Sequence, residues 1–133
     1  MSKYWLEYVK SCYDLVLETE GTTSLVLPHD IEAYVVHLMA KNFERTNLGD
    51  TAMAIKLLTV LQSGVRQQLL PVADECLLIY SYPLNKNRWP SPSYYRELGV
   101  TAYGLAGHAM EYHFDTAGRI LSAIFSLKNK TLN

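Results

Sequence analysis

Residues 27–42 read LPHDIEAYVVHLMAKN, and their spacing decides the fold. Ile31, Tyr34, Val35, Leu38, Met39 and Asn42 recur at three- and four-residue steps, which puts them on one face of a helix. Pro28 opens the element, since a first turn does not need its missing N–H and gains from its fixed φ. Asp30 and Glu32 then meet the positive end of the helix dipole.

The same period extends in both directions. Upstream, Trp5, Tyr8, Val9, Cys12, Tyr13 and Val16 predict a first helix over 3–19, closed by Glu20-Gly21-Thr22-Thr23. Downstream, the turn Asn47-Leu48-Gly49-Asp50 leads to a third helix over about 51–63, with Asp50 as N-cap and Gly64 as stop. A fourth helical segment spans 65–82, and Pro71 either kinks it or marks a restart with proline in the first turn. Ser91-Pro92 is an N-cap and first-position pair for a fifth helix over about 92–112. Gly99, Gly104 and Gly107 fall inside that span at about 1 kcal/mol each against alanine, so close helix-to-helix approach is expected there. Asp115 or Thr116 caps a sixth helix, about 116–129. No segment has convincing strand alternation. The expected fold is all-α: a single compact bundle of five or six helices over 1–133, with the last few residues frayed and the glycine-rich fifth helix central, packed by the second and fourth.

Composition supports one folded domain. The chain has 133 residues, 49 % apolar and 19 % charged, with a net charge of −1. A sequence-independent nucleic-acid binder would carry an excess of Lys and Arg, so nucleic acid is not an expected partner. Charge is uneven: residues 1–50 hold four bases against eight acids, and residues 51–133 eight against five. Such asymmetry could steer a partner, though pairing within the fold is the plainer reading. Cys12 and Cys76 sit on apolar stripes and predict buried free thiols suited to a reducing cytoplasm. The start, Met-Ser-Lys-Tyr-Trp, holds no apolar signal core. The longest nearly uncharged stretch, Leu98 to Met110, is too short to span a bilayer, so no membrane association is expected.

Chemistry-bearing patterns are sparse. His108 and His113 are five apart rather than the three or four that share a helical face, and His29 and His37 join no ligand motif. No metal or other cofactor is expected. Cys76 follows Asp74 and Glu75, whose charge opposes thiolate formation. Acid–base work by Asp74 or Glu97 has no spacing to support it. The unusual content lies in 79–103, where Tyr80, Tyr82, Trp89, Tyr94, Tyr95 and Tyr103 surround Lys86, Arg88 and Arg96. These are the residue types of interface hot spots. They also suit a ligand pocket beside Cys76, or simple packing of a loop onto the bundle.

Two stretches carry a resemblance. Val72-Ala73-Asp74-Glu75-Cys76-Leu77-Leu78-Ile79, then Pro83, Arg88 and Ser93-Tyr94-Tyr95-Arg96-Glu97-Leu98-Gly99-Val100-Thr101-Ala102-Tyr103-Gly104-Leu105-Ala106, form the longer one. This resembles a family of uncharacterised bacterial all-helical proteins with an Asp-x-Cys-Leu helix, a Pro-and-Arg loop and Tyr-Tyr-x-x-x-Gly-x-x-Ala-Tyr. Leu27 to Leu38 is similar to that family's entry helix, and together the match spans about two-thirds of the chain. Relatives are richer in arginine where this chain has Asn85-Lys86-Asn87-Arg88-Trp89. The resemblance implies helix boundaries and no activity.

The expected function is therefore a non-catalytic interaction domain, an adaptor, chaperone-like partner or regulator, with a protein or a second copy as partner. Its binding residues are taken as Arg88, Trp89, Tyr94, Tyr95, Arg96, Tyr80 and Tyr103. The alternative is a small-molecule-binding domain with a tyrosine-lined pocket. An enzyme is the least favoured reading.

Overall fold

A computed structural model describes residues 3–42, 53–82 and 90–132. These residues form six α-helices and no strand: α1 (Lys3–Thr23), α2 (His29–Asn42), α3 (Met53–Ser63), α4 (Leu69–Ser81), α5 (Pro92–Leu105) and α6 (Phe114–Leu132). Short 3-10 turns at Arg66–Gln68 and Ala109–Tyr112 precede α4 and α6. The expected turn at 47–50, with its Asp50 cap, lies outside the described residues. No helix of the described residues is long and apolar enough to cross a membrane.

The central element is α4, packed against α3, α5 and α6, while α1 packs on α2 and α6. This corrects the expectation that α5 is central. The reason is composition: eight of the thirteen residues in LLPVADECLLIYS are buried, against four of fourteen in α5. Most of α4 must therefore leave water, and only the middle of the bundle allows that. Pro71 falls in the first turn of α4, so the helix restarts there rather than kinking.

Local chemistry sets the ends. α1 runs past residue 19 to Thr23, with the Thr22 and Thr23 hydroxyls donating to the Thr19 carbonyl. It stops where Ser24 adopts φ +61°, a left-handed turn occupied here by a non-glycine residue. α5 ends at Leu105, seven residues before the boundary expected from sequence. Gly107, at φ +71°, closes it: the His108 N–H donates to the Tyr103 carbonyl and the Gly107 N–H to that of Gly104. This is the paired pattern of a Schellman stop. α6 begins at Phe114, with the Ala117 N–H bonded to the His113 carbonyl, so neither Asp115 nor Thr116 is the cap.

The three glycines of the fifth segment separate in role. A Cβ on Gly99 would lie 2.5 Å from Phe114 Cε2 and 3.0 Å from Cys76 Cβ, so α5 comes close to its neighbours there. One on Gly104 would meet only the carboxylate of Glu111. Gly107 serves the helix stop instead.

Candidate functional site

The described residues among those singled out in 79–103 divide among separate contacts. Arg88 and Trp89 lie outside the described residues. Arg96 forms a two-pronged pair with Asp115, Nε to Oδ1 at 2.7 Å and Nη2 to Oδ2 at 2.8 Å, and Tyr80 O–H reaches Oδ1 at 3.4 Å. The Arg96 guanidinium holds the Asp115 carboxyl below its usual range. Tyr94 and Tyr95 meet edge to face with ring centroids 5.2 Å apart. Tyr95 and Tyr103 are buried at 3 % and 0 % exposure, so neither can be a surface contact of an interface. Cys76 is likewise fully buried, and burial pushes its thiol up to about 12.

Tyr103 instead belongs to a polar cluster that joins three helices. Asp74 on α4 accepts, on Oδ1 alone, the hydroxyls of Tyr103 from α5 at 2.6 Å and Tyr34 from α2. The Schellman stop delivers His108 beside both phenols, its ring centroid 4.5 Å from Tyr34 and 5.6 Å from Tyr103. His108 Nδ1 accepts the Met110 N–H at 3.1 Å, which in the neutral ring leaves the proton on Nε2.

The electrostatics follow from burial. Desolvation raises the Asp74 carboxyl above its ordinary range, against the opposing pull of the Tyr103 and Tyr34 hydroxyls and the more distant His108 and Lys41. Both phenols are pushed up, first by their own burial and then by the carboxylate beside them. They therefore act as fixed neutral donors. Asp74 Oδ2 takes no hydrogen bond from a described residue, and no cation among them pairs with this carboxylate.

This carboxylate is accessible. Asp74 and Tyr34 line an open groove of about 530 Å³ between α2 and α4, together with Asp30, His37, Lys41 and Glu75. Ala33, Leu38, Pro71 and Leu78 supply its apolar surface. Its volume is in the range of small-ligand sites.

A second polar cluster ties α1 to α2. Glu20 and Glu32 are both buried; Tyr13 O–H donates to Glu32 Oε1 at 2.5 Å and the Leu27 N–H to Glu20 Oε2 at 2.9 Å. Burial and the hydrogen bond to Glu32 raise the Glu20 carboxyl, while that bond and the Tyr13 hydroxyl lower Glu32. Of the two, Glu20 is therefore the carboxyl that takes up a proton first as pH falls. The exposed His29 approaches Glu32 Oε1 at 3.7 Å. Among the described residues no group of three or more His, Cys, Asp or Glu side chains could hold a metal ion.

No protein-family model, curated protein or solved structure matches the chain.

Sequence spacing does not reveal the Asp74 site, because Tyr34, Asp74 and Tyr103 are 40 and 29 residues apart. One signal was present. Asp74 is an acid within a helix otherwise rich in buried apolar residues, and such a group must find donors once folded.

Proposed function

We propose that this chain is a small-molecule-binding helical domain whose site is the groove between α2 and α4, with Asp74 as the anchoring group. The carrying observation is a half-buried carboxylate in the lining of an open groove, fixed through one oxygen by two tyrosine hydroxyls, its other oxygen taking no hydrogen bond from a described residue. A carboxylate held this way is pre-organised, so a ligand need not bear the cost of ordering it. The two buried free thiols are in keeping with a reducing cytoplasm.

A fragment screen followed by amide NMR tests the reading. Hits are expected to perturb the amides of residues 33–41 and 72–78 and to lose that effect in Asp74→Asn. Hits that cluster elsewhere, or that bind Asp74→Asn equally well, would refute the site.

A second reading, binding of a protein partner or a second copy, is supported by a different surface from the aromatic cluster. On α3, Ile55, Leu58 and Leu61 are exposed, and Val65 and Leu105 are exposed beside a small hollow that Leu61 also lines. Contiguous apolar surface of this kind marks association sites. Leu58→Glu with Leu61→Glu would abolish association in sedimentation if this surface is used. Unchanged sedimentation and unchanged capture of partners would rule it out.

A further inference from the structure

The groove's charge and the Asp74 oxygen that takes no hydrogen bond from a described residue together point to a ligand class. Among the described residues Asp30 and Asp74 line it beside one lysine, Lys41, and Glu75, also in the lining, has an interaction of its own. His37, also in the lining, has Nδ1 turned to the Ala33 carbonyl at 2.9 Å. Asp74 is half-buried where Asp30 is exposed, its two hydrogen-bond partners are neutral hydroxyls, and His108 and Lys41 favour its charged form without an ion pair among the described residues. An unpaired, partly desolvated carboxylate is an unfavourable arrangement that a cation relieves. Tyr34 lines the same groove, and a tyrosine ring attracts a cation. Ala33, Leu38, Pro71 and Leu78 provide a lining for a short hydrocarbon stem. An anion would meet the Asp30 and Asp74 carboxylates, with Lys41 the one lysine among the described lining residues.

We infer that the groove takes an organic cation, a primary ammonium on a short aliphatic stem, with the ammonium paired to Asp74 Oδ2 and against the Tyr34 ring. The inference rests on the groove being the binding site. It adds the class of ligand. The Tyr34 and Tyr103 hydroxyls are positioning groups here, since they hold Oδ1 and leave Oδ2 toward the ligand.

Three probes of equal carbon length separate the possibilities: putrescine, butanediol and succinate, each titrated into the full chain and followed by amide NMR. Putrescine is expected to perturb residues 33–41 and 72–78, while butanediol and succinate do not. Asp74→Asn, which keeps the side chain's shape and an acceptor for the tyrosines, should weaken putrescine roughly tenfold or more, the loss of a charged hydrogen-bonded pair. Lys41→Glu, at an exposed position, should tighten it by about threefold, the size of a near-surface charge effect. That variant keeps the test open should Asp74→Asn fail to fold. Binding of succinate or butanediol in the groove without putrescine would overturn the cation class and leave the groove standing as a site. Absence of any putrescine effect on these amides would overturn the cation class too, and the fragment screen then judges the groove alone. Equal putrescine affinity in wild type, Asp74→Asn and Lys41→Glu would overturn the pairing with Asp74.

Discussion

Replacing Gly99 with alanine tests the packing that holds the site together. Carbon atoms rest about 3.5–4.0 Å apart at optimal separation. The new Cβ would sit 2.5 Å from Phe114 Cε2, 2.8 Å from Phe114 Cζ and 3.0 Å from Cys76 Cβ. The phenyl ring would have to retreat by about 1 Å. Phe114 has little room to do so: it is 1 % exposed, with the rings of Tyr80 and Tyr103 at 5.3 and 6.1 Å centroid distance. Overpacking of this kind costs about 1–3 kcal/mol. Alanine regains up to about 1 kcal/mol over glycine in a helix interior. Because the clash involves both a confined ring and an atom next to the α4 backbone, the net expectation is a loss of about 1–2 kcal/mol. For a chain of this size that lowers the melting temperature by about 3–8 °C. Gly104→Ala is the internal control, since only the movable Glu111 carboxylate opposes it, and its stability should stay level or rise by up to about 1 kcal/mol. Urea and thermal melts of both variants decide the matter. If Gly99→Ala were as stable as Gly104→Ala, the close approach of α5 to α4 and Phe114 would be wrong, and with it the placement of Tyr103.

Tyr103→Phe should lose about 1.5–3 kcal/mol in urea melts, the worth of a buried hydrogen bond to a charged group, and clearly less when Asp74 is already asparagine; equal losses in both backgrounds would disconnect the two residues. The Glu20–Glu32 pair predicts a stability maximum in pH. Glu20 is raised, so its contribution is full below its unfolded pKa and lost as pH rises through the folded value; Glu32 is lowered, so its contribution is lost as pH falls. Asp74, also raised, adds to the loss on the alkaline side, so the melting curves of wild type and Glu20→Gln must be compared. Glutamine carries its own N–H donor and should flatten that limb, and an unaltered limb would exclude Glu20 as a source of it. Both thiols are buried, so a thiol reagent should label Cys12 and Cys76 only on unfolding; prompt labelling of the native chain would contradict their burial.

The amino-acid order alone was enough for the class of fold and for most helix positions, because a stripe repeating every three or four residues has one way to leave water. The stripes of α1 and α2, the Ser91-Pro92 start of α5 and the stop at Gly64, which adopts φ +71°, were all legible for that reason. Ends set by pairing with distant groups were not. α5 stops at Gly107, with Arg66 Nε donating to the Leu105 carbonyl at 3.3 Å across 39 residues, and the local pattern of 92–112 contains no trace of that contact. The choice of α4 as the centre also depended on which faces met after docking, since in the sequence the three glycines of 92–112 pointed to α5. The site lay furthest from view. Tyr34, Asp74, Tyr103 and His108 occupy three helices and a turn, and hydrogen bonding depends on distance in space, which the spacing of residues along the chain does not encode. Tyrosines 80, 94, 95 and 103 look alike in a sequence. Folding sent one to a surface ion pair, two into contact with each other and one to a half-buried carboxylate, according to which neighbour each helix face met.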